Sequence, residues 1–356
     1  MTWHESPLGG STAPGWRYAP DRFGASGASF SISLEHLTHM LRLVLSRLAL
    51  FVPTLFAASV ILFIAINVVP GSAARSALGV DATPQAIMRF EALNGLDRPL
   101  VLQYTDWLGN ALRGDFGTSF QNRVAVAPDI LRRLPVTLEL AFLAFSVANL
   151  IALPLGAVAA FRHRRAADIA ISSLATILGA IPNFWLATLL VLVFSLTWRL
   201  LPAGGYTPFL ESPSRNLVQM ILPALSLGLV SSALLLRIMR TTMLEVLNSP
   251  YIRTAHAKGA PERIVLVRHA LRNALIPFFT VGAVEFGFLF GGVVVIEDIF
   301  SLPGIGSLVL VGIINRDYPV LLGASLVITV VVLTANMIVD TIAMLLDPRQ
   351  LTRRES

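Results

Sequence analysis

The residues that could carry out chemistry are few and stand apart in this sequence. None of the 356 residues is a cysteine, so disulfides and thiolate metal sites are excluded. The six histidines form no HxxxH or HExxH pattern, and no GxxxxGK[ST] phosphate loop occurs. Three acids, Glu139, Glu285 and Asp340, lie in long apolar segments without a second catalytic group at a suitable spacing. The sequence therefore predicts no catalytic residue, no metal site and no cofactor.

The segment Ser249–Pro277 has the most distinctive arrangement of polar residues. Pro250 suits the first turn of a helix, where no backbone N–H is needed, and a short helix is predicted over Tyr251–Lys258. Gly259 suits the left-handed position that ends such a helix. A second, amphipathic helix is predicted over Glu262–Asn273.

Two short helices joined at a glycine form a stiff knob. Such a knob could fit a cleft on a soluble partner and pass on its movement. A flexible loop could not, because its own entropy would absorb the motion.

The composition indicates which elements must hold this knob. The chain is 55% hydrophobic and only 13% charged, whereas soluble domains carry roughly 25% charged residues. The formal net charge is +6, but the basic residues cluster between apolar runs, as the orientation rule for membrane proteins expects. We therefore expect a membrane protein with lipid contacts and no nucleic-acid partner.

Six segments are long and apolar enough to cross a bilayer as helices. The sequence thus predicts an all-α integral membrane protein with six transmembrane helices. The predicted spans are Leu48–Val69, Val136–Phe161, Ile169–Trp198, Leu217–Leu236, Ala274–Ile296 and Val320–Leu346.

The distribution of basic residues predicts that both ends are cytoplasmic. With that orientation, the external loops after spans three and five hold only Arg199, Arg215 and Arg316. The long loop Gly71–Pro135 holds seven arginines and six acids, but long translocated loops largely escape the rule. The cytoplasmic segments hold Arg42, Arg47, Arg162, Arg164, Arg165, Arg237, Arg240, Arg253, Lys258, Arg263, Arg268, Arg272, Arg349, Arg353 and Arg354.

Five regions follow from these patterns. In the external region we expect a helix over Pro84–Leu93, ended by Asn94 and Gly95, and a turn at Asp115–Gly117. Met40 directly precedes the first span and is a candidate translation start. The regions are a disordered cytoplasmic tail over 1–40, the first transmembrane helix over 41–70, the external region over 71–135, the core over 136–346 with its cytoplasmic loop 249–273, and a second tail over 347–356.

Several separate motifs resemble the permeases of ABC importers. Tyr251–Gly259 resembles the EAA loop, or coupling helix, of these proteins, in the version of the dipeptide, oligopeptide and nickel transport branch, and Arg268–Pro277 matches its continuation. The resemblance covers roughly residues 40–349. Further matching segments are Val69–Gly71, Gly114–Ser119, Gly291–Glu297, Phe300–Gly306, Arg316–Pro319 and Leu346–Arg349.

The loop departs from the general EAA pattern at two points. It has Arg253-Thr254-Ala255 in place of Glu-Ala-Ala, and Leu271 is followed by Arg272 instead of proline. No acid at the start of the loop can therefore be assigned to an ATPase contact.

The resemblance implies a type I importer permease in the bacterial plasma membrane, without catalysis of its own. It implies two ABC ATPase subunits, an extracytoplasmic substrate-binding protein and a second, related permease that forms a heterodimer with this chain. Short peptides are the leading substrate class; nickel complexes and glutathione-like or opine-like solutes are alternatives. The coupling residues it implies are Tyr251, Arg253, Thr254, Ala255, Lys258, Gly259, Glu262, Arg263 and Arg268.

Each of these roles has a simpler alternative. Gly259 could be an ordinary helix cap, and the basic residues could contact anionic lipid, worth roughly 1 kcal/mol per charge. Glu285 could line the path or be a structural acid, and the break at Pro182 and Asn183 could line the path or be a tolerated kink. Gly287 and Gly291 have the GxxxG spacing of close helix packing.

Two other segments have more than one possible role, and two other protein classes are alternatives to an importer permease. Phe300–Gly306 and Arg316–Pro319 could form an external gate, receive a binding protein or simply make tight turns. A secondary transporter would require charged relays within the spans, and an intramembrane enzyme would require paired catalytic groups. Glu139 and Asp340 are most simply structural.

Overall fold

The computed structural model describes residues 34–68, 71–79 and 81–346, and side chains within those ranges from residue 49 to residue 338. The described residues from Ser46 onward form one compact unit. Residues 34–45 belong to a separate unit and form the first turns of helix α1.

Helices dominate the described residues, with one isolated β-bridge between Thr118 and Ala125. Two π-helical segments, Val191–Thr197 and Val265–Leu271, follow α7 and α10. The α-helices are α1 (Leu34–Val68), α2 (Ala73–Leu78), α3 (Pro84–Leu93), α4 (Leu100–Ala111), α5 (Val126–Phe161), α6 (Ala166–Ala180), α7 (Asn183–Leu190), α8 (Pro213–Leu247), α9 (Pro250–Ala257), α10 (Glu262–Ile264), α11 (Arg272–Ile299), α12 (Ile305–Asn315) and α13 (Tyr318–Leu346).

Five described stretches are long and apolar enough to cross a membrane without interruption. They lie at Ala49–Val68, Val126–Phe161, Pro213–Leu247, Glu262–Ile299 and Tyr318–Ile338. A sixth span is formed if α6 and the helix over Asn183–Thr197 are counted together. The six-span, all-α prediction is therefore confirmed, with one span broken.

The predicted third span, Ile169–Trp198, is interrupted at Pro182 and Asn183, as the sequence predicts. The chain bends by 100° between α6 and α7. Pro182 disfavours helical backbone at the preceding residue, and Ile181 is extended, with φ −85° and ψ 126°. The break is thus far sharper than an ordinary proline kink.

Two predicted boundaries also shift. Helix α1 begins at Leu34, so residues 34–40 are helical rather than part of the expected tail; the rest of that tail lies outside the described residues. Helix α5 begins at Val126, ten residues before the predicted span, because Pro135 is tolerated inside the helix. The helix that carries the predicted second span therefore begins within the expected external region.

The external region is built from three short helices, α2 to α4. The side chain of Thr83 caps α3 by accepting a hydrogen bond from Ala86 N, and Pro84 fills its first turn. Asn94 and Gly95, with φ +68° at Gly95, end that helix as predicted. The expected turn is also present, since Gly117 N donates to Asp115 Oδ1 at 2.8 Å.

Helices α5 and α8 form the centre of the core, and small residues bring them together. The buried face of α5 is lined with alanines, among them Ala141, Ala144 and Ala148. A Cβ added at Gly228 of α8 would lie 2.6 Å from Ala144 O. A bulkier side chain at this contact would push the two helices apart.

The predicted GxxxG contact is only half correct. A Cβ added at Gly287 would lie 2.8 Å from Asn336 Oδ1 on α13, so this glycine does allow close packing. Nothing lies within 4 Å of the same position at Gly291. Its neighbour Gly292 makes the second close contact instead, with Asn183 Nδ2 and Leu227 Cδ2 both at 2.9 Å.

Candidate functional site

The cytoplasmic loop begins with α9, which is held down by one apolar side chain. Pro250 opens the helix as the sequence predicts. Ile252 is 1% exposed and belongs to the same buried cluster as Met239, Met243 and Val265. The rest of α9 is mostly exposed, so the helix lies on the bundle with one face free.

Gly259 ends α9 in the way its type predicts. Its φ is +77°, a conformation that residues with a Cβ rarely adopt. Gly259 N donates to His256 O at 2.9 Å, and Ala260 N donates to Ala255 O at 3.2 Å. This pair of bonds is the Schellman motif, which satisfies the last carbonyl groups of the helix.

A hydrogen-bonded bridge closes the base of the loop. Asn273 Nδ2 donates to Tyr251 Oη at 2.9 Å and to His269 O at 2.8 Å. The start of α9 is thereby joined to the start of α11, on the far side of the glycine break. The two arms of the loop form a closed, braced structure.

The second arm is not the separate helix that was predicted over Glu262–Asn273. Helix α10 passes into the π-helical segment Val265–Leu271 and then directly into α11, giving a continuous helical run over Glu262–Ile299. Pro277, four residues beyond Asn273, lies inside α11 without ending it, so the arm and the fifth span are one rod.

The basic residues of the loop are exposed and free of carboxylate partners among the described side chains. Thr254 bonds only its own helix, through Pro250 O at 3.2 Å, and Ala255 is half-buried. Glu262 is also exposed. The exposed basic residues are Arg253, Lys258, Arg263 and Arg268.

The two predicted path residues lie in the spans, apart from this loop. Asn183 is the first residue of α7, directly after the break, and its Oδ1 is buried without a hydrogen-bond partner among the described residues. Glu285 lies on α11 and is half-buried. The structure supplies no contact between them.

The other two membrane acids have different surroundings. Glu139 lies well inside α5 and accepts a hydrogen bond from Tyr206 Oη at 2.9 Å. Burial and this carboxylate raise the pKa of Tyr206 to about 12, so its hydroxyl stays protonated and can donate. The side chain of Asp340 lies outside the described residues.

At the external side, Glu297 organises the turn that follows α11. Its buried carboxylate accepts from Thr137 Oγ1 at 2.6 Å and from Ser307 N at 2.9 Å. Gly304 packs directly against this carboxylate, where a Cβ would have no room. The Phe300–Gly306 segment is therefore a tight turn that starts the short apolar helix α12.

A second buried acid, Asp317, joins the external region to the core. It accepts from Ser119 Oγ and, at 3.1 Å, from Phe120 N. Gly71 packs against the Arg316 guanidinium next to it. Three segments that the sequence treats separately, near Gly71, Ser119 and Asp317, thus meet at one place.

Sequence reasoning missed an ion pair at the cytoplasmic side. Arg240 of α8 donates to both carboxylate oxygens of Asp168 on α6, at 2.6 and 2.9 Å, and His163 Nδ1 lies 3.2 Å from Asp168 Oδ2. An aspartate shortly after a basic loop and an arginine just after the predicted fourth span were visible signals, but their pairing was not.

Comparison with protein families decides the class of the chain. Residues 152–352 match the model described as binding-protein-dependent transport system inner membrane component, and residues 40–141 match the corresponding N-terminal model. The chain belongs to this family.

Individual permeases from several bacteria are similar over nearly their whole length. A putative peptide transport system permease of Brucella suis is 40% identical over 87% of this chain and 99% of its own. The dipeptide permease DppB of Alkalihalophilus pseudofirmus is 34% identical over 87% and 99% of the two chains. The glutathione permease GsiC of Escherichia coli K12 is 36% identical over 87% and 98%.

A solved structure supports the fold. A chain of the methionine ABC transporter MetNI matches 62% of this permease and 96% of its own length, with a TM-score of 0.50 and 17% identity.

The family assignment confirms the main functional prediction. The protein is a multi-pass permease subunit of an ABC importer in the plasma membrane, and it is a transport subunit rather than an enzyme. Membership also implies association with ATPase subunits and a substrate-binding protein. The roles of the individual loop and path residues stay predictions.

Proposed function

We propose that this permease imports di- and oligopeptides and that an ATPase drives it through the loop 249–273. The substrate class is supported by similar permeases that are named for peptides, dipeptides and glutathione. Glutathione, itself a small peptide, is the second candidate because a 36% identical relative carries its name.

The braced geometry of the loop is the observation that carries the coupling proposal. Helix α9 follows α8 after only Asn248 and Ser249, and the second arm is continuous with α11. Asn273 and Tyr251 tie the two arms together. A push on α9 would therefore reach spans four and five together, which is what alternating access between the two sides requires.

The exposed cations of the loop would supply the contact with the ATPase. Arg253, Lys258, Arg263 and Arg268 surround α9 and the glycine break, and each has an unpaired charge within the described residues. Acidic side chains at the edge of an ATPase cleft would complement them. Contact with anionic lipid is the alternative for the same charges.

A second, related permease would complete the pathway, since the described residues of this chain supply at most six spans. Large apolar side chains stay exposed on the spans, including Phe288, Val284 and Ile338. These surfaces need lipid or another apolar protein surface to cover them. We propose a heterodimer with such a permease, surrounded by membrane lipid.

Reconstitution of the complex tests this function. We expect uptake of radiolabelled dipeptides and oligopeptides into proteoliposomes that contain both permeases and the ATPases, with binding protein outside and ATP inside. Uptake without nucleotide would indicate a secondary transporter. Uptake of glutathione but of no other peptide would select the second candidate, and retention of no ATPase by the intact permease pair would reject the coupling proposal.

A further inference from the structure

The side chain of Arg237 on α8 is charged, exposed and unpaired. Its Nε donates to Ala233 O of its own helix at 3.2 Å, and that is the only hydrogen bond of this guanidinium within the described part of the chain. No carboxylate within 4 Å neutralises it among the described residues. An arginine has five N–H donors, so most of them remain available.

The guanidinium points into the membrane, not toward the cytoplasmic edge. Helix α8 runs from the outside to the inside, and the bond to Ala233 draws the Arg237 side chain back toward the outside. Arginines near a span end normally extend toward the interface. Arg240, one turn later, bonds Asp168 at the cytoplasmic start of α6.

The contact with α6 gives the depth of this charge. A Cβ added at Gly179 would lie 3.2 Å from Arg237 Nη2 and 3.3 Å from Ala233 Cβ. Gly179 is eleven residues beyond Asp168, which is roughly 16 Å along a helix. The guanidinium therefore lies well beyond the Arg240–Asp168 pair toward the outer side, within the candidate span Pro213–Leu247 and not after its end, where the predicted span Leu217–Leu236 would place it.

The face of α6 between Asp168 and Gly179, next to Arg237, carries hydroxyl side chains as well as Ile169 and Ile177. Ser172, Ser173 and Thr176 line the same face of α6 as Asp168, and the helix ends at exposed Gly179 and Ala180 just before the 100° break. A backbone break at membrane depth is tolerated where it is buried in protein or lines a cavity. An unpaired arginine facing lipid would be costly.

We infer that Arg237 is a carboxylate-binding site on the translocation path, which receives the C-terminal carboxylate of the peptide beside the break in span three. A guanidinium and a carboxylate form strong, charge-assisted hydrogen bonds of defined geometry. Arg240 cannot take this role, because Asp168 already occupies it. The inference rests on the peptide substrate proposed above.

Cysteine accessibility tests the location independently of transport. The chain has no cysteine, so Arg237→Cys introduces a single thiol into this subunit. In the assembled complex we expect charged methanethiosulfonates to label it, and a peptide with a free carboxylate to slow the labelling. Ser232→Cys is the control, since Ser232 is fully buried on the same helix and should stay unlabelled.

Transport of matched peptides tests the chemistry. We expect Arg237→Gln to slow uptake of a free-acid peptide by about 10–100-fold at saturating loaded binding protein, as expected for loss of a charged hydrogen-bond partner. Arg237→Lys should restore part of the rate. In Arg237→Gln the free acid and its C-terminal amide should then be transported at equal rates, whereas Arg162→Gln, a loss of charge in the cytoplasmic loop after α5, should change neither rate.

Three other results would overturn the inference, and a fourth would reject only the proposed substrate. An unlabelled thiol at position 237, or equal slowing of acid and amide, would overturn the inference. So would a defect that appears only in vesicles with anionic phospholipid, because the guanidinium would then bind a lipid headgroup. Wild-type complexes that take up no peptide would instead reject the proposed substrate, while the labelling result would still stand.

Discussion

At the scale of single residues, two positions require glycine for different physical reasons, one for its backbone conformation and one for its lack of a side chain. Gly259 has room for a side chain but a backbone conformation that disfavours one, with φ +77° and no atom within 4 Å of an added Cβ. Gly304 has ordinary backbone, φ −94°, but no space beside the Glu297 carboxylate. Substitutions at the two positions should therefore fail in different ways.

We expect Gly259→Val to strain the loop by about 1–3 kcal/mol. The strain would displace the end of α9, so ATP hydrolysis stimulated by loaded binding protein should fall while the permease stays in the membrane. Gly79→Val is a matched control, because Gly79 has φ +87° and equally open surroundings in the external region. Equal loss in both variants would mean that position 259 matters only for folding.

We expect Gly304→Ala to lower the thermal unfolding temperature in detergent, since the added methyl would force the Glu297 carboxylate away from Thr137 and Ser307. Gly291→Ala should be neutral or slightly stabilising, because nothing lies within 4 Å of the new Cβ. A temperature unchanged in both variants would show that this turn has room to relax.

At the scale of elements, the seating of α9 depends on one buried side chain. Ile252→Ala should leave a cavity that costs about 2–4 kcal/mol and loosens the short helix. Coupled transport should fall more than basal ATP hydrolysis by the complex, measured side by side. Val267→Ala removes an apolar side chain that is 58% exposed, and both activities should survive.

Local signals predicted most of the loop but not its continuity. Pro250 and Gly259 mark helix ends through the backbone properties of proline and glycine, so both ends of α9 could be read from sequence. The continuity of the second arm with α11 could not be predicted from sequence, because Pro277 usually disfavours an unbroken helix but is tolerated inside α11. The sharp bend after Ile181 was only partly foreseen, since Pro182 signals an interruption without its angle.

At the scale of the whole molecule, buried acids join parts that are distant in sequence. Ser119 and Asp317 are 198 positions apart, and Thr137 and Glu297 are 160 apart. Ser119, Glu297 and Asp317 lie in motifs that match the family, whereas Thr137 lies in none. The meeting of these residues could not be predicted, because it depends on how the helices assemble. The span count and orientation, by contrast, follow from the solvent preferences of apolar and basic residues.

Asp317→Ala should release the external region from the core. Phe120 N and Ser119 Oγ would lose their shared acceptor in a buried place, at a cost of about 2–4 kcal/mol. Cleavage within residues 71–125 by protease added from outside should become faster. Asp106→Ala removes only the exposed pair with Arg98 and should leave the cleavage rate unchanged; similar acceleration in both variants would contradict the role of Asp317.

The π-helical segment Val265–Leu271 also sets the angular phase between the loop and the fifth span. A π turn accommodates one more residue than an α turn, and removing that residue would restore regular winding. Deleting one residue there should therefore leave α9 and Gly259 nearly in phase with α11, whereas the same deletion within a regular α-helical turn of α11 would rotate them by about 100°, since an α-helix turns once in 3.6 residues. Only the second deletion would turn the exposed arginines to a different direction, so the winding of this rod fixes where the arginines of the knob face.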